Sequence, residues 1–272
     1  MQDDQTDQSD QTDQTDPPEL AVVAGATGAL GRAITCRLTE RGLHVLAIAR
    51  SAEALQALAA GNPRITPMVG DMADNGVIDT IRCALTRPGG AALSGPVRIA
   101  VQAVGLPIRA RDAAFDPASL GVAVNIKAGG LLRLASALEG HLQPGSRLAV
   151  LGGYHGFEPD PTAIGPGVTN AALANLVRIL SHRFGAQGVS VHMVSPGPVD
   201  TPRIRKLADD ASRQRGIPAA EILAQWCAES SLPQLITTDQ VAWAVGLLLD
   251  PQASALHGSV LHLDGGRRRG IL

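Results

Sequence analysis

The sequence predicts an α/β protein, a single Rossmann-type three-layer domain whose doubly wound parallel sheet has seven strands. Three observations carry this expectation. From Glu19 onward, short apolar runs rich in Val, Ile and Ala alternate with longer stretches of helical period, the pattern of a parallel sheet covered on both faces. The first run passes straight into a glycine-rich turn, Gly25-Ala26-Thr27-Gly28-Ala29-Leu30-Gly31, and then into a helical pattern. The length of 272 residues, 45% of them hydrophobic, suits one large core better than two small ones.

Residues 1–18 are a low-complexity Asp/Gln/Thr repeat with no apolar residue after Met1. Burial there cannot offset the entropy of ordering, so a disordered acidic tail is expected, with the domain spanning residues 19–272. The first strand is predicted over 20–24 and the first helix over 29–41. A second strand (44–49) and helix (51–59), then a third strand (65–69) and helix (74–87), repeat the unit. The fourth strand is expected at 97–101. A long helix from about 117 to 142 leads to the fifth strand (147–151), and another from about 168 to 186 leads to the sixth (189–194). The stretch 201–233 is charged and carries glycine and proline signals that break the rhythm, so it reads as a lid over the strand ends. The last strand is predicted over 260–263.

Composition narrows the function. Lys and Arg total 23 against 25 Asp and Glu, a formal charge of -2. That balance lacks the positive excess on which nucleic-acid or membrane-surface binding depends. Cys36, Cys83 and Cys227 lie far apart without a CxxC pair, so neither a disulfide scaffold nor a zinc cluster is indicated. No HxxxH or HExxH spacing suggests a metal site. Without a long apolar run or a basic-then-apolar leader, the reading is a cytoplasmic protein with a small-molecule substrate.

The glycine-rich turn places Gly25, Thr27, Gly28, Leu30 and Gly31 where a backbone must turn tightly and let a pyrophosphate approach a helix N-terminus. The second strand ends in Ala49-Arg50-Ser51, with no carboxylate to take a ribose 2′-hydroxyl. The Arg50 guanidinium can instead clamp a 2′-phosphate, which favours NADP(H) over NAD(H). A solvated arginine at a strand end would leave that selectivity open. Asp71, in Gly70-Asp71-Met72, either accepts a bond from adenine or caps the next helix.

These residues, with Asn125 in Val124-Asn125-Ile126, the Pro196-Gly197-Pro198-Val199-Asp200-Thr201 run and Leu263-Asp264-Gly265-Gly266, fall in the order and spacing of the classical short-chain dehydrogenase/reductase family, which the chain resembles from Leu20 to about Arg267. The resemblance implies that Asp71 and Met72 border the adenine, Gly105 the cofactor after strand four, and Thr201 the nicotinamide carboxamide. It also implies pairing into a homodimer or homotetramer through the helices that precede strands five and six. Where the family's turn carries Thr and Gly, this chain has Ala24 and Ala29. Where the family has Asn-Asn-Ala-Gly after strand four, it has Gln102-Ala103-Val104-Gly105.

The chemistry departs further. Family members reduce a carbonyl with a Tyr acid, a Lys four residues later that lowers its pKa, a Ser that orients the carbonyl, and an Asn that supports a proton relay. Here the one tyrosine is Tyr154, with Glu158 four residues on, and the only lysines are Lys127 and Lys206. Alignment without a gap from Asn125 to Pro196 puts Gly153 at the Ser position, Pro166 at the Tyr position and Asn170 at the Lys position. The Asn170 amide can bond a ribose hydroxyl but brings no positive charge.

His155 is the preferred substitute acid, because in an extended chain it shares the side of Gly153 while Tyr154 faces away. An imidazolium donates near neutral pH without a lysine neighbour. A loop histidine without a role is the competing reading, and Tyr154 ranks below His155. His192, inside strand six, reads as a satisfied core residue. Arg203, Arg205 and Lys206, and likewise Arg109 and Arg111, either steer an anion or form solvated faces; Trp226 packs the lid or walls a substrate pocket. Three functions follow. The first is an atypical NADP(H)-dependent oxidoreductase of a small or polycyclic carbonyl or hydroxyl compound, using His155 and Asn125. The second is a catalytically silent cofactor-sensing or partner subunit. The third is a non-redox cyclase, dehydratase or isomerase using the same pocket.

Overall fold

The computed structural model describes residues 18–86, 93, 95–106 and 116–270. The predicted tail, apart from Pro18, and Arg109 and Arg111 lie outside the described residues.

Seven parallel strands form one sheet: β1 (Leu20–Ala24), β2 (His44–Ala49), β3 (Ile65–Val69), β4 (Val97–Gln102), β5 (Leu142–Leu151), β6 (Ser190–Pro196) and β7 (Val260–Leu263). Their order is β3-β2-β1-β4-β5-β6-β7. The chain winds outward from β1 to β3, then returns to place β4 against β1, with Leu20 opposite Val97 and Ala24 opposite Gln102. That reversal opens a crevice beyond the strand ends, where sheets of this kind take ligands.

The strands alternate their burial between two layers. Leu20, Val22 and Ala24 face one, with Ile81 of α3 (Val77–Thr86), Leu131 and Leu134 of α5 (Gly130–Leu138) and Leu173 and Val177 of α6 (Ile164–Gly185). Ala21 and Val23 face the other, with Ile34 and Leu38 of α1 (Ala29–Glu40), Leu55 of α2 (Ala52–Ala59) and Val241 and Val245 of α9 (Thr238–Leu247). Each large side chain buried in this way contributes about 1.5–3 kcal/mol relative to exposure.

Several boundaries differ from expectation. The long helix before β5 is interrupted: α4 (Pro117–Val124) runs into a π-turn at Asn125–Gly129 before α5 begins. The widened turn frees the Ile126 carbonyl, which accepts a bond of 3.2 Å from the Gln102 amide. A Cβ at Gly130 would come within 2.1 Å of that amide, so a larger residue there would push the Gln102 side chain aside. α5 ends at Leu138, and β5 starts at Leu142 rather than 147, through a register shift opposite Val97 and a positive φ of 91° at Gly145. α6 starts at Ile164 because Pro166 falls in its first turn, where no N–H is required.

The stretch 201–233, expected as a lid, holds two helices, α7 (Pro202–Arg215) and α8 (Ala219–Ala228). They are separated at Gly216, whose φ of 69° favours glycine. α9, not delimited in the sequence reading, is started by a capping box between Thr237 and Gln240. His192 is fully buried and bonds the Leu256 carbonyl through Nδ1 at 3.1 Å, as a core residue. No helix among the described residues is long and apolar enough to cross a membrane.

Candidate active site

Beyond the ends of β1, β4, β5 and β6 lies a cavity of about 850 Å³. Gly28, Ala29 and Leu30, at the start of α1, form part of its wall. The turn that delivers them is packed backbone to backbone. Gly25 has a φ of 81°, and a Cβ there would stand 2.8 Å from the Val104 nitrogen. A Cβ on Gly31 would lie 2.1 Å from the Gly25 carbonyl oxygen. The helix therefore begins directly under the strand end, an arrangement that fits a pyrophosphate against the free N–H groups of its first turn. Thr27 is half-buried in the same turn.

Gly105 and Thr201 line the cavity. Thr201 also caps α7, its Oγ1 accepting from the Ile204 N–H at 3.4 Å. Arg203 of α7 donates to the Leu106 carbonyl at 2.5 Å, tying α7 to the loop after β4. Arg50 is exposed at the end of β2, beside Ser51, whose hydroxyl caps α2.

The remaining candidates are placed elsewhere. Asp71 is exposed and accepts from the Ala73 N–H at 2.9 Å. Met72 is buried, its carbonyl accepting from Arg133 at 3.0 Å. The Asn125 side chain is engaged at both ends: Nδ2 donates to the Ala73 carbonyl at 3.1 Å and Oδ1 accepts from Arg133 at 2.8 Å. Asn125 thus ties the π-turn to the loop after β3 and is not among the cavity-lining residues.

At the other wall, Gly153, Pro166 and Asn170 converge, as the alignment to the resembled family implies. Asn170 Nδ2 lies 3.0 Å from the point a Cβ on Gly153 would occupy. The expectation that Tyr154 faces away is corrected. Residues Tyr154–Gly156 form a 3₁₀ turn, not an extended segment, so the alternation argument lapses and both Tyr154 and His155 line the cavity. Their ring centroids are 4.0 Å apart.

Arg267 lies over the Tyr154 ring at 4.8 Å, donates to the Trp226 carbonyl at 2.6 Å and pairs with Glu229. Burial raises the Tyr154 pKa, and the Arg267 charge only partly opposes it. Asp160 is held below the usual carboxylate range, first by the Thr162 hydroxyl and further by the His155 and Arg267 charges. Trp226 and Glu229 bring α8 into this wall. The chain end follows: Glu158 Oε1 accepts from the backbone N–H groups of Arg269 at 2.7 Å and Gly270 at 3.0 Å.

Lys127 escapes the sequence reading, as do Asp160, Thr162, Glu229 and Arg267 of the same cavity. Lys127, in the π-turn, is only 6% exposed, and its Nζ donates to the Leu151 carbonyl at 2.6 Å. Burial, with a smaller contribution from the Arg203 charge, lowers its pKa to about 8. The available signal was a lone lysine inside an otherwise apolar helical stretch.

A family model described as Enoyl-(Acyl carrier protein) reductase matches residues 25–268. The chain is 30% identical over 250 residues to a galactitol 2-dehydrogenase of Rhizobium johnstonii, covering 88% of this chain and 90% of that protein. It is 26% identical over 145 residues to the Escherichia coli enoyl-[acyl-carrier-protein] reductase [NADH] FabI, covering 53% and 52% of the two chains. In fold it is similar to the L-sorbose reductase of Gluconobacter frateurii, solved with NADPH and L-sorbose, at a TM-score of 0.82 and 19% identity over 94% of this chain and 98% of that one.

Proposed function

The chain belongs to the short-chain dehydrogenase/reductase family, whose members use nicotinamide cofactors, and on that premise we propose that it is an atypical NADP(H)-dependent oxidoreductase of a small polyol or its carbonyl counterpart. The supporting observation is that the Gly25–Gly31 cradle and His155 border one cavity. The cradle and Thr201 fit the nicotinamide dinucleotide, which when bound supplies or accepts a hydride. Arg50, with no carboxylate beside it in Ala49-Arg50-Ser51, supports a preference for the 2′-phosphorylated form. The Thr162 hydroxyl, Asp160 carboxylate and Arg267 guanidinium give the substrate end the polar groups that a polyhydroxylated compound requires. A galactitol dehydrogenase among the relatives and an L-sorbose reductase among the structural neighbours support that class.

In this reading His155 delivers the proton to the substrate oxygen and withdraws it in the reverse direction. The His155 charge in turn helps hold the Asp160 carboxylate ionised. Gly153, where relatives place a serine, gives its side-chain space to the Asn170 amide, and Asn125 acts by holding the π-turn. Exposed Val122, Leu132, Val168 and Ile179 on α4, α5 and α6 support pairing of two copies along these helices.

The test mixes the protein with NADPH or NADH and with L-sorbose and other small ketones, and follows nicotinamide absorbance. NADPH-dependent turnover that falls at least ~100-fold in His155→Ala supports the assignment, a typical loss for a general acid. A variant with full turnover removes His155 from the reaction. A second reading, a nucleotide-binding protein without turnover, draws on the engagement of Asn125 by Ala73 and Arg133. It predicts NADPH binding with no substrate converted.

A further inference from the structure

Packing alone does not explain Lys127. A methionine would fill the same volume, whereas an ammonium withdrawn from water is costly unless partners surround it. Among the described residues no carboxylate pairs with it, and its one hydrogen-bond acceptor is the Leu151 carbonyl. Among the described residues, two of its three N–H donors therefore remain unspent.

Asn170, on the same cavity wall, is 5% exposed, and its Oδ1 is buried with no hydrogen-bond partner among the described residues. The π-turn that carries Lys127 packs against α6, which carries Asn170. One cavity thus holds a buried donor and a buried acceptor, each short of a partner, although such groups are nearly always satisfied. A hydroxyl satisfies both at once, since it accepts on oxygen and donates through hydrogen.

We propose that Lys127 and Asn170 form a hydroxyl-binding subsite, Lys127 donating to and Asn170 Oδ1 accepting from one alcohol group of the ligand. This rests on the oxidoreductase reading above and makes Lys127 a contact of the ligand. The alcohol is either a ribose hydroxyl of the dinucleotide or a hydroxyl of the polyol; the chemistry is the same, and binding experiments separate the sources.

Calorimetry on wild type, Lys127→Met, Asn170→Ala and the double variant, titrated with NADPH alone and with galactitol in the presence of NADP⁺, tests the proposal. Each single variant is expected to lose at least ~10-fold in affinity for one ligand, and the double variant to lose little more than either single one, because both groups serve one hydroxyl. Loss with NADPH alone places the alcohol on the ribose. Loss confined to galactitol places it on the polyol. The melting temperature of Lys127→Met is expected to equal or exceed that of wild type.

Affinity for NADPH within twofold of wild type, with galactitol bound equally or not at all, overturns the subsite. So does a marked fall in the melting temperature of Lys127→Met, which would mark the lysine as structural. If wild type binds neither NADPH nor NADH, the cofactor reading itself fails, a result distinct from normal binding by the variants.

Discussion

Lys127 Nζ stands 2.6 Å from the carbonyl oxygen of Leu151, so an ammonium is held at the end of β5 by a backbone dipole and no carboxylate among the described residues. The stability consequence follows from linkage. Burial takes the lysine pKa from its ordinary 10.5 to about 8 in the folded chain. Below pH 8 both folded and unfolded chains carry the proton, and the folded state bears the full cost, on the order of 3 kcal/mol. Between pH 8 and 10.5 the unfolded chain binds the proton more tightly, so stability rises with pH. Lys127→Met is therefore expected to be the more stable protein at pH 7, with its advantage shrinking toward pH 10.5. Urea unfolding at pH 7 and pH 10 reads this directly; an advantage that does not change with pH would contradict it.

His192 supplies the acid limb. It is fully buried in β6, and burial, with the Arg147 charge adding to it, lowers its pKa to about 4. Between pH 6.5 and 4 the unfolded chain binds a proton that the folded chain refuses, so stability falls as pH falls through that window. The loss attributable to this residue is on the order of 3 kcal/mol. His192→Gln should flatten the urea-midpoint profile between pH 6.5 and 4.5. An unchanged slope would assign the acid sensitivity to other groups.

Arg50 is expected to set cofactor preference. A charge-assisted bond to a phosphate contributes about 1.5–3 kcal/mol, so Arg50→Ala should weaken NADPH binding by roughly 10- to 100-fold and leave NADH nearly unaffected. Equal losses for both nucleotides would mean that Arg50 does not read the 2′ position.

The exposed apolar residues Leu132 on α5 and Ile179 on α6, 48% and 56% accessible, predict the quaternary state. Ile179→Asp should convert a dimer or tetramer to smaller species in light scattering after size exclusion. A wild-type chain that elutes as a monomer at micromolar concentration would refute the pairing.

Much of the fold was legible because it rests on local pattern. β1, β2, β3 and β7 fall on their predicted bounds, where short, mostly apolar runs give way to polar or glycine residues. The start of β5 was not legible, since Pro144-Gly145 spells a turn and only pairing with Val97 carries the strand through it. The π-turn at Asn125 depends on the Gln102 amide from another strand, a partner that helical period cannot express. At the site, alignment to the family's spacing brought Gly153, Pro166 and Asn170 together. It missed Lys127, whose partner Leu151 is set by tertiary packing, and it misplaced Tyr154 because a 3₁₀ turn replaced an extended segment.

The clasp formed by Glu158 on Arg269 and Gly270, and by Arg267 on Glu229 and Trp226, holds the stretch after β7 against the cavity, whose wall includes Arg267. A protein clipped before Arg267 would keep its nucleotide cradle while losing the closure opposite it.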